Sequence, residues 1–189
     1  MTVTNAPGSG AAKVETLVFD TSPLLHFTRN DWLGALKAVV GDREALVPDV
    51  VLEELKSFAG SDARVESVLT ASWLKHRELR TQAEIDAFAE FSSLLVRGDR
   101  NRGEAGVLAL AKVTGGTSVI DDGAGRKAAK ANGITNRPTL ALLCEAIRSG
   151  LLTPKLVSAL ADDLLISQYR LPFKLGGFQE WAEEQGLIP

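Results

Sequence analysis

The chain is almost without cysteine. Its single thiol, Cys144, excludes an internal disulfide and a Cys-rich metal centre, and it fits a reducing cytosol. Histidine is scarce as well. His26 and His76 are isolated, so no His cluster, Ser-His-Asp set or Cys-His set can be assembled, and His26 beside Phe27 reads as structural. No apolar run approaches the roughly 20 residues that a membrane helix needs. No basic segment followed by an apolar one opens the chain, as a secretory signal would. A phosphate-cradling GxxxxGK(S/T) loop is missing, and Gly115-Gly116 reads as a helix stop. Positive charge is also in short supply. The net charge of −3 argues against a protein that coats polyanions in bulk, though a local basic patch can still steer one. Aromatic residues are 6% of the chain, too few to assign one to base recognition from the sequence.

What remains is an ordinary soluble composition of 189 residues, 45% apolar and 24% charged, enough for one domain with a sizeable core. Residues 1–13 are small, polar and Gly/Pro-containing, and read as a disordered tail. The expected domain covers residues 14–189, including C-terminal helices. Thr16–Phe19, Ala45–Val47 and Ser118–Ile120 are short strands, and Trp73–Leu79 is an edge-strand candidate. Between them lie helical patterns. One starts with Ser22 as cap and Pro23 at the first helical position, and another runs from Pro48-Asp49 to about Ala59. Ser61 is placed to cap a further one to about Ala71. Others cover Ala83–Leu95, Glu104–Val113, Lys127–Asn132, Pro138–Ser149, Pro154–Ser167 and Phe178–Gln185. Alternation of this kind predicts an α/β fold with a parallel sheet and helices around it. Ligands in such folds gather beyond the carboxyl ends of the strands.

Acidic residues occupy those ends. Asp20 closes the first strand. On the helix after the second strand, Glu53 points towards solvent, while Glu54 falls at the border of the apolar face and needs a partner there. Glu104 lies near the middle of an apolar side formed by Val107, Leu108, Leu110 and Ala111. A carboxylate so placed either takes up a proton or meets a cation, although acids are also favoured in a helix first turn. Asp121 and Asp122 follow a buried strand, and a turn with Gly123 also accounts for them. Many oxygen donors without Cys or His select Mg²⁺ or Mn²⁺ over zinc. Arg97, Arg100 and Arg102 precede Glu104, and Arg126, Lys127 and Lys130 follow Asp122. Together they form a basic rim around the acids.

The segments LVFDTSPLLHF, LVPDVVLEEL, RGEAGVLALA and SVIDDGAGRKAAKANGI resemble those of the PIN-domain family, in particular its VapC-type toxin relatives. The resemblance spans about residues 16–134. It implies an α/β/α sandwich with a central parallel sheet, and a cytoplasmic Mg²⁺- or Mn²⁺-dependent endoribonuclease. It places the family's acidic residues on Asp20, Glu54, Glu104 and either Asp121 or Asp122. Asp121 is favoured because it directly follows the strand. The implied metal ligands are Asp20, Glu104, Asp121 and Asp122, with Arg100, Arg102, Arg126 and Lys127 facing RNA phosphates. It further implies an RNA substrate and, for a toxin, a protein antitoxin; the C-terminal helices either pack on the domain, the favoured reading, or form a homodimer contact. A haloacid-dehalogenase-like phosphatase wants a second acid two residues after Asp20, where this chain has Ser22. A phosphoacceptor receiver domain has its paired acids first and its lone aspartate later, the reverse of the order here. A non-catalytic PIN-like binding module is the remaining alternative.

Overall fold

The computed structural model describes residues 14–98 and 100–189, so the expected N-terminal tail at 1–13 lies outside the described residues. Four strands form one parallel sheet in the order β3-β2-β1-β4. They are β1 (Thr16–Phe19), β2 (Glu44–Pro48), β3 (Leu74–Arg77) and β4 (Thr117–Val119). Among the described residues ten α-helices surround the sheet: α1 (Thr21–Arg29), α2 (Leu33–Val40), α3 (Asp49–Ala59), α4 (Glu66–Leu69), α5 (Gln82–Leu95), α6 (Arg102–Thr114), α7 (Gly123–Ala131), α8 (Thr139–Arg148), α9 (Pro154–Ile166) and α10 (Phe178–Glu184). This is the α/β architecture with a central parallel sheet that the strand-helix alternation predicts.

The central strands carry runs of apolar residues because both faces are covered. Leu17, Val18 and Phe19 of β1 are fully buried. Helix α6 is buried almost all round from Gly103 to Ala111 and packs on β1, β2, β4, α3 and α5. The sheet edges are protected differently. β3 exposes Lys75, His76 and Arg77, and the charges of Lys75 and Arg77 discourage further pairing. β4 is covered by the segment after α7. The Ser118 amide donates to the Thr135 carbonyl at 2.9 Å, and the Arg137 amide donates to the Ser118 carbonyl at 2.9 Å. Asn136 completes this clamp, accepting from the Ile120 amide at 3.2 Å and donating to its carbonyl at 3.1 Å.

The strand order fixes where a ligand site can form. β2 and β3 lie on one side of β1, and β4 lies on the other. The chain therefore diverges after β1 and β4, and a crevice opens beyond their carboxyl ends. Asp20 and Asp121-Asp122 stand there.

Three local expectations are corrected. Helix α1 begins at Thr21 with Asp20 in the cap position, so Ser22 is not the cap and Pro23 lies within the first turn. Proline is tolerated there because the first-turn amides have no intrahelical acceptor. The segment from Ser61 to Ala71 is not one helix. Asp62, not Ser61, accepts the Arg64 amide and caps a 3₁₀ turn over Ala63–Val65, and α4 follows as a single turn. Helix α7 starts at Gly123 rather than Lys127, because Asp122 accepts from the amides of Ala124 at 2.7 Å and Gly125 at 3.4 Å.

Candidate functional site

Asp20 leaves β1 as the first residue beyond the sheet, its amide still bonded to the Val119 carbonyl at 3.2 Å. It is only 4% exposed. Burial pushes its carboxyl well above the usual range. The charges of Glu104 and Glu54 push the same way, and the amides of Thr21 and Ser22 offset part of the effect.

Glu104 enters from the first turn of α6. Burial raises its pKa too, its own backbone amide opposes this, and Glu54 and Asp122 add to the rise. Among the described residues, neither Asp20 nor Glu104 is in an ion pair. Two desolvated carboxylates that repel one another are unstable as anions unless a proton or a cation joins them.

Glu54 holds the two helix starts together. Its Oε1 accepts from the Gly103 amide at 3.0 Å, and its Oε2 accepts from the Thr21 hydroxyl. It is half-buried while Glu53 is exposed, as the helical face predicts. The contact needs glycine at 103. A Cβ there would lie 2.9 Å from Glu54 Oε2 and 3.0 Å from Asp20 Oδ1. Gly125 serves the opposite wall, where a Cβ would stand 2.7 Å from Ile120 Cγ2 and 3.4 Å from Glu104 Cγ.

The adjacent aspartates are used differently. Asp121 Oδ1 accepts from the Thr139 amide at 2.8 Å, and Oδ2 accepts from the Thr139 hydroxyl at 2.6 Å and from the Tyr169 hydroxyl. Asp122 caps α7 through Oδ1 alone. Its exposed position leaves Oδ2 without a partner among the described residues. Burial, together with the charge and hydrogen bond of Asp121, pushes the Tyr169 phenol well above its ordinary pKa.

These groups open on a cleft of about 420 Å³ lined by Asp20, Glu104, Asp121, Asp122, His26 and Tyr169. A second cleft of about 440 Å³ shares Asp20, Glu104 and His26 with it, and adds Glu54 and Arg100. All five acids and Arg100 are therefore brought to one region. Arg126 lines a third cavity that also meets Asp121. Arg102 and Lys127 are exposed on α6 and α7.

Sequence reasoning did not find Thr139, Tyr169 or the location of His26. The His26 ring stands edge-on to Tyr169 at 4.7 Å, with Nδ1 3.4 Å from Ser167 Oγ. Burial and Arg29 lower its pKa, while Asp121 acts in the opposite direction. The one available signal was that Tyr169 is the only tyrosine, and a buried phenol needs a hydrogen-bond partner.

Hard carboxylate oxygens, desolvated and without an ion-pair partner among the described residues, fit a divalent cation of the Mg²⁺ class. Among the described residues no three acidic, imidazole or thiol side chains converge into a ready cage. Mg²⁺ does not require one. It keeps several waters and binds through one or two carboxylates plus substrate phosphate. No described helix is long and apolar enough to cross a membrane. A family model described as PIN domain matches residues 16–176. No curated protein matches the chain.

Proposed function

The chain belongs to the PIN-domain family, and we propose that it is a Mg²⁺- or Mn²⁺-dependent endoribonuclease. PIN domains are generally nucleases. The observation that carries the reading is the pair of Asp20 and Glu104, two desolvated carboxylates in one cleft with no ion-pair partner among the described residues. In this reading Asp20 and Glu104 would hold the metal, and Asp122 would position a metal-bound water through its unused oxygen. Asp121 belongs to the same set but is anchored by Thr139 and Tyr169, so its contribution is to shape and charge the cleft wall. Glu54 positions the starts of α1 and α6. The bound cation would activate water and stabilise charge on the scissile phosphate.

Arg100 stands in the second cleft with Asp20 and Glu104, and Arg102, Arg126 and Lys127 are exposed around the acids. Guanidinium and ammonium groups in such positions attract and register a phosphate backbone without reading sequence. A cytoplasmic enzyme acting as the toxin of a toxin-antitoxin pair is the finer form of the proposal, with a protein antitoxin as partner and a homodimer as its assembly. Growth arrest on expression, relieved by a neighbouring gene product, tests that form.

The nuclease reading is tested by RNA degradation in Mg²⁺ or Mn²⁺, with Asp20→Asn and Glu104→Gln run beside the wild type. Cleavage that survives both substitutions sinks the proposed site. Failure to cleave any of several RNAs, with no metal binding by calorimetry, assigns the fold to a non-catalytic binding role.

A further inference from the structure

Beside the acidic cleft lies a cavity of different character, about 560 Å³ in volume. That lies within the range of pockets that bury a small organic ligand. Its walls include Trp181 and Leu187 from the C-terminal segment, together with the guanidinium-bearing Arg126 and Arg170. It adjoins the acidic cleft, because Asp121, Tyr169 and Arg170 line both.

Trp181 is half-exposed and held from behind. Its ring centroid is 5.2 Å from that of Phe173, whose other neighbour is Phe178 at 5.7 Å. The indole thus packs on an aromatic cluster and has surface facing the cavity. Among the described residues its N–H has no hydrogen-bond partner, whereas the Trp32 indole donates to Asp163 at 2.8 Å. Arg126 and Arg170 form no ion pair among the described residues.

We propose that this cavity is a base-binding subsite, in which one base of single-stranded RNA stacks on Trp181 while its flanking phosphates meet Arg126 and Arg170. The inference rests on the nuclease reading and deepens it. A strand whose phosphate lies in the acidic cleft has its next nucleotide within reach of the cavity, since the two share a wall. Three features favour a nucleotide over an apolar peptide. The guanidinium groups complement phosphate, the aromatic surface suits a base, and the cavity adjoins the site of proposed phosphodiester chemistry. Stacking tolerates every base, so preference among bases rests on the polar groups at the rim. Trp181 is thereby a binding residue for substrate, outside the acidic set.

The test uses the full chain carrying Glu104→Gln, in Mg²⁺, so that binding is read without cleavage. Fluorescein-labelled octauridylate and octaadenylate RNA are titrated by anisotropy. Trp181→Ala is expected to weaken binding by roughly 5- to 150-fold, the range for removing one stacking platform. Trp181→Phe keeps a ring and is expected to retain most of the affinity. It also guards against a folding defect in the alanine variant. In the wild-type chain, nucleoside 5′-monophosphates should quench tryptophan emission, and Trp181→Phe should remove that quenching while Trp32 and Trp73 remain. Equal RNA affinity in all three chains, or quenching undiminished in Trp181→Phe, overturns the proposal and leaves the cavity to a protein segment. The nuclease reading fails separately, on the absence of metal-dependent cleavage. A chain that binds RNA through Trp181 but cuts nothing keeps the subsite and loses the activity.

Discussion

Asp20→Asn should stabilise the metal-free protein while removing its activity. Gly103 supplies a distance from which the size of the effect follows. The position of its absent Cβ is 2.9 Å from Glu54 Oε2 and 3.0 Å from Asp20 Oδ1, so those two oxygens are at most about 6 Å apart. Unit charges at that separation repel by about 3 kcal/mol at an effective dielectric of 20, and by about 0.7 kcal/mol in bulk water. Asp20 is 4% exposed, so the first figure is nearer, and Glu104 adds repulsion of its own. An asparagine carries no charge, and its amide can donate to either glutamate. A gain of about 1–3 kcal/mol follows, or roughly 3–10 °C in melting temperature for a chain of this size.

The pH dependence carries the sign of the argument. Burial and neighbouring acids hold the folded-state pKa of Asp20 above its unfolded value. Between those two values the folded protein binds the proton more tightly than the unfolded one, so the contribution to stability is lost as pH rises from about 4. In chelator, the wild type should therefore melt progressively lower from pH 5 to pH 8, and Asp20→Asn should be flatter and higher at pH 8. Added Mg²⁺ should reverse the order, because only the wild type gains from ligation. Calorimetric scans in chelator and in Mg²⁺ make the comparison. A metal-free variant no more stable than the wild type at pH 8, with the same pH slope, refutes the reasoning.

Gly103→Ala should separate function from stability. The new methyl displaces the oxygens of Glu54 and Asp20, yet alanine is favoured over glycine in a helix by about 1 kcal/mol. Melting temperature should change little, while cleavage falls on the order of 100-fold, as displaced catalytic groups do; an unimpaired rate contradicts the geometry. Tyr169→Phe removes a donor to Asp121 and should cost about 1–3 kcal/mol in urea denaturation; no loss means that the phenol does not hold that carboxylate. Glu84 provides a test in the opposite direction. Burial pushes its pKa up, but the amides of Thr81 and Arg80, the Thr81 hydroxyl and Arg77 outweigh this and hold it down to about 2. Its stabilisation is present above the unfolded carboxyl range and lost as pH falls towards 2. Glu84→Ala should cost about 1–2 kcal/mol at pH 7 through the broken capping box, and little near pH 2; a cost independent of pH contradicts the assignment.

The parts of the site that could be read from the sequence were those set by local periodicity. Helical spacing separated Glu54 from Glu53, and put Glu104 on an apolar side of α6. Strand-end position marked Asp20 and Asp121-Asp122. Each of these inferences needs only a few consecutive residues. The parts that stayed hidden depend on distant pairing. Thr139 and Tyr169 reach Asp121 across 18 and 48 residues, and nothing in their own segments points to an aspartate. The same distance hid the Trp181 cavity. Cap assignments failed for a smaller reason. Ser22 and Ser61 are good caps by type, but Asp20 and Asp62 stand at the positions where the backbone turns into the helix.

Among the described residues, the two most inaccessible carboxylates are treated in opposite ways, and that contrast bears on function. Glu84 is 2% exposed and Asp20 is 4% exposed. Around Glu84 the fold gathers two amides, a hydroxyl and a guanidinium, so the anion is satisfied and α5 is fixed to the end of β3. Around Asp20 the amides of Thr21 and Ser22 offset only part of the effect of burial, and the charged groups it gathers are Glu104 and Glu54. Both arrangements arise in one solvent and one sequence, so a lack of basic residues cannot explain the second. Arg100 lines the adjoining cleft without forming an ion pair among the described residues. A structural carboxylate is placed where it stabilises, and Glu84 is one. On the proposed reading, a carboxylate placed at a cost, at the crevice where the strand order reverses, is positioned for a cation that the protein itself does not provide. If that is the reason, Asp20→Asn and Glu84→Gln must shift metal-free stability in opposite directions, and only the first must change the affinity for Mg²⁺.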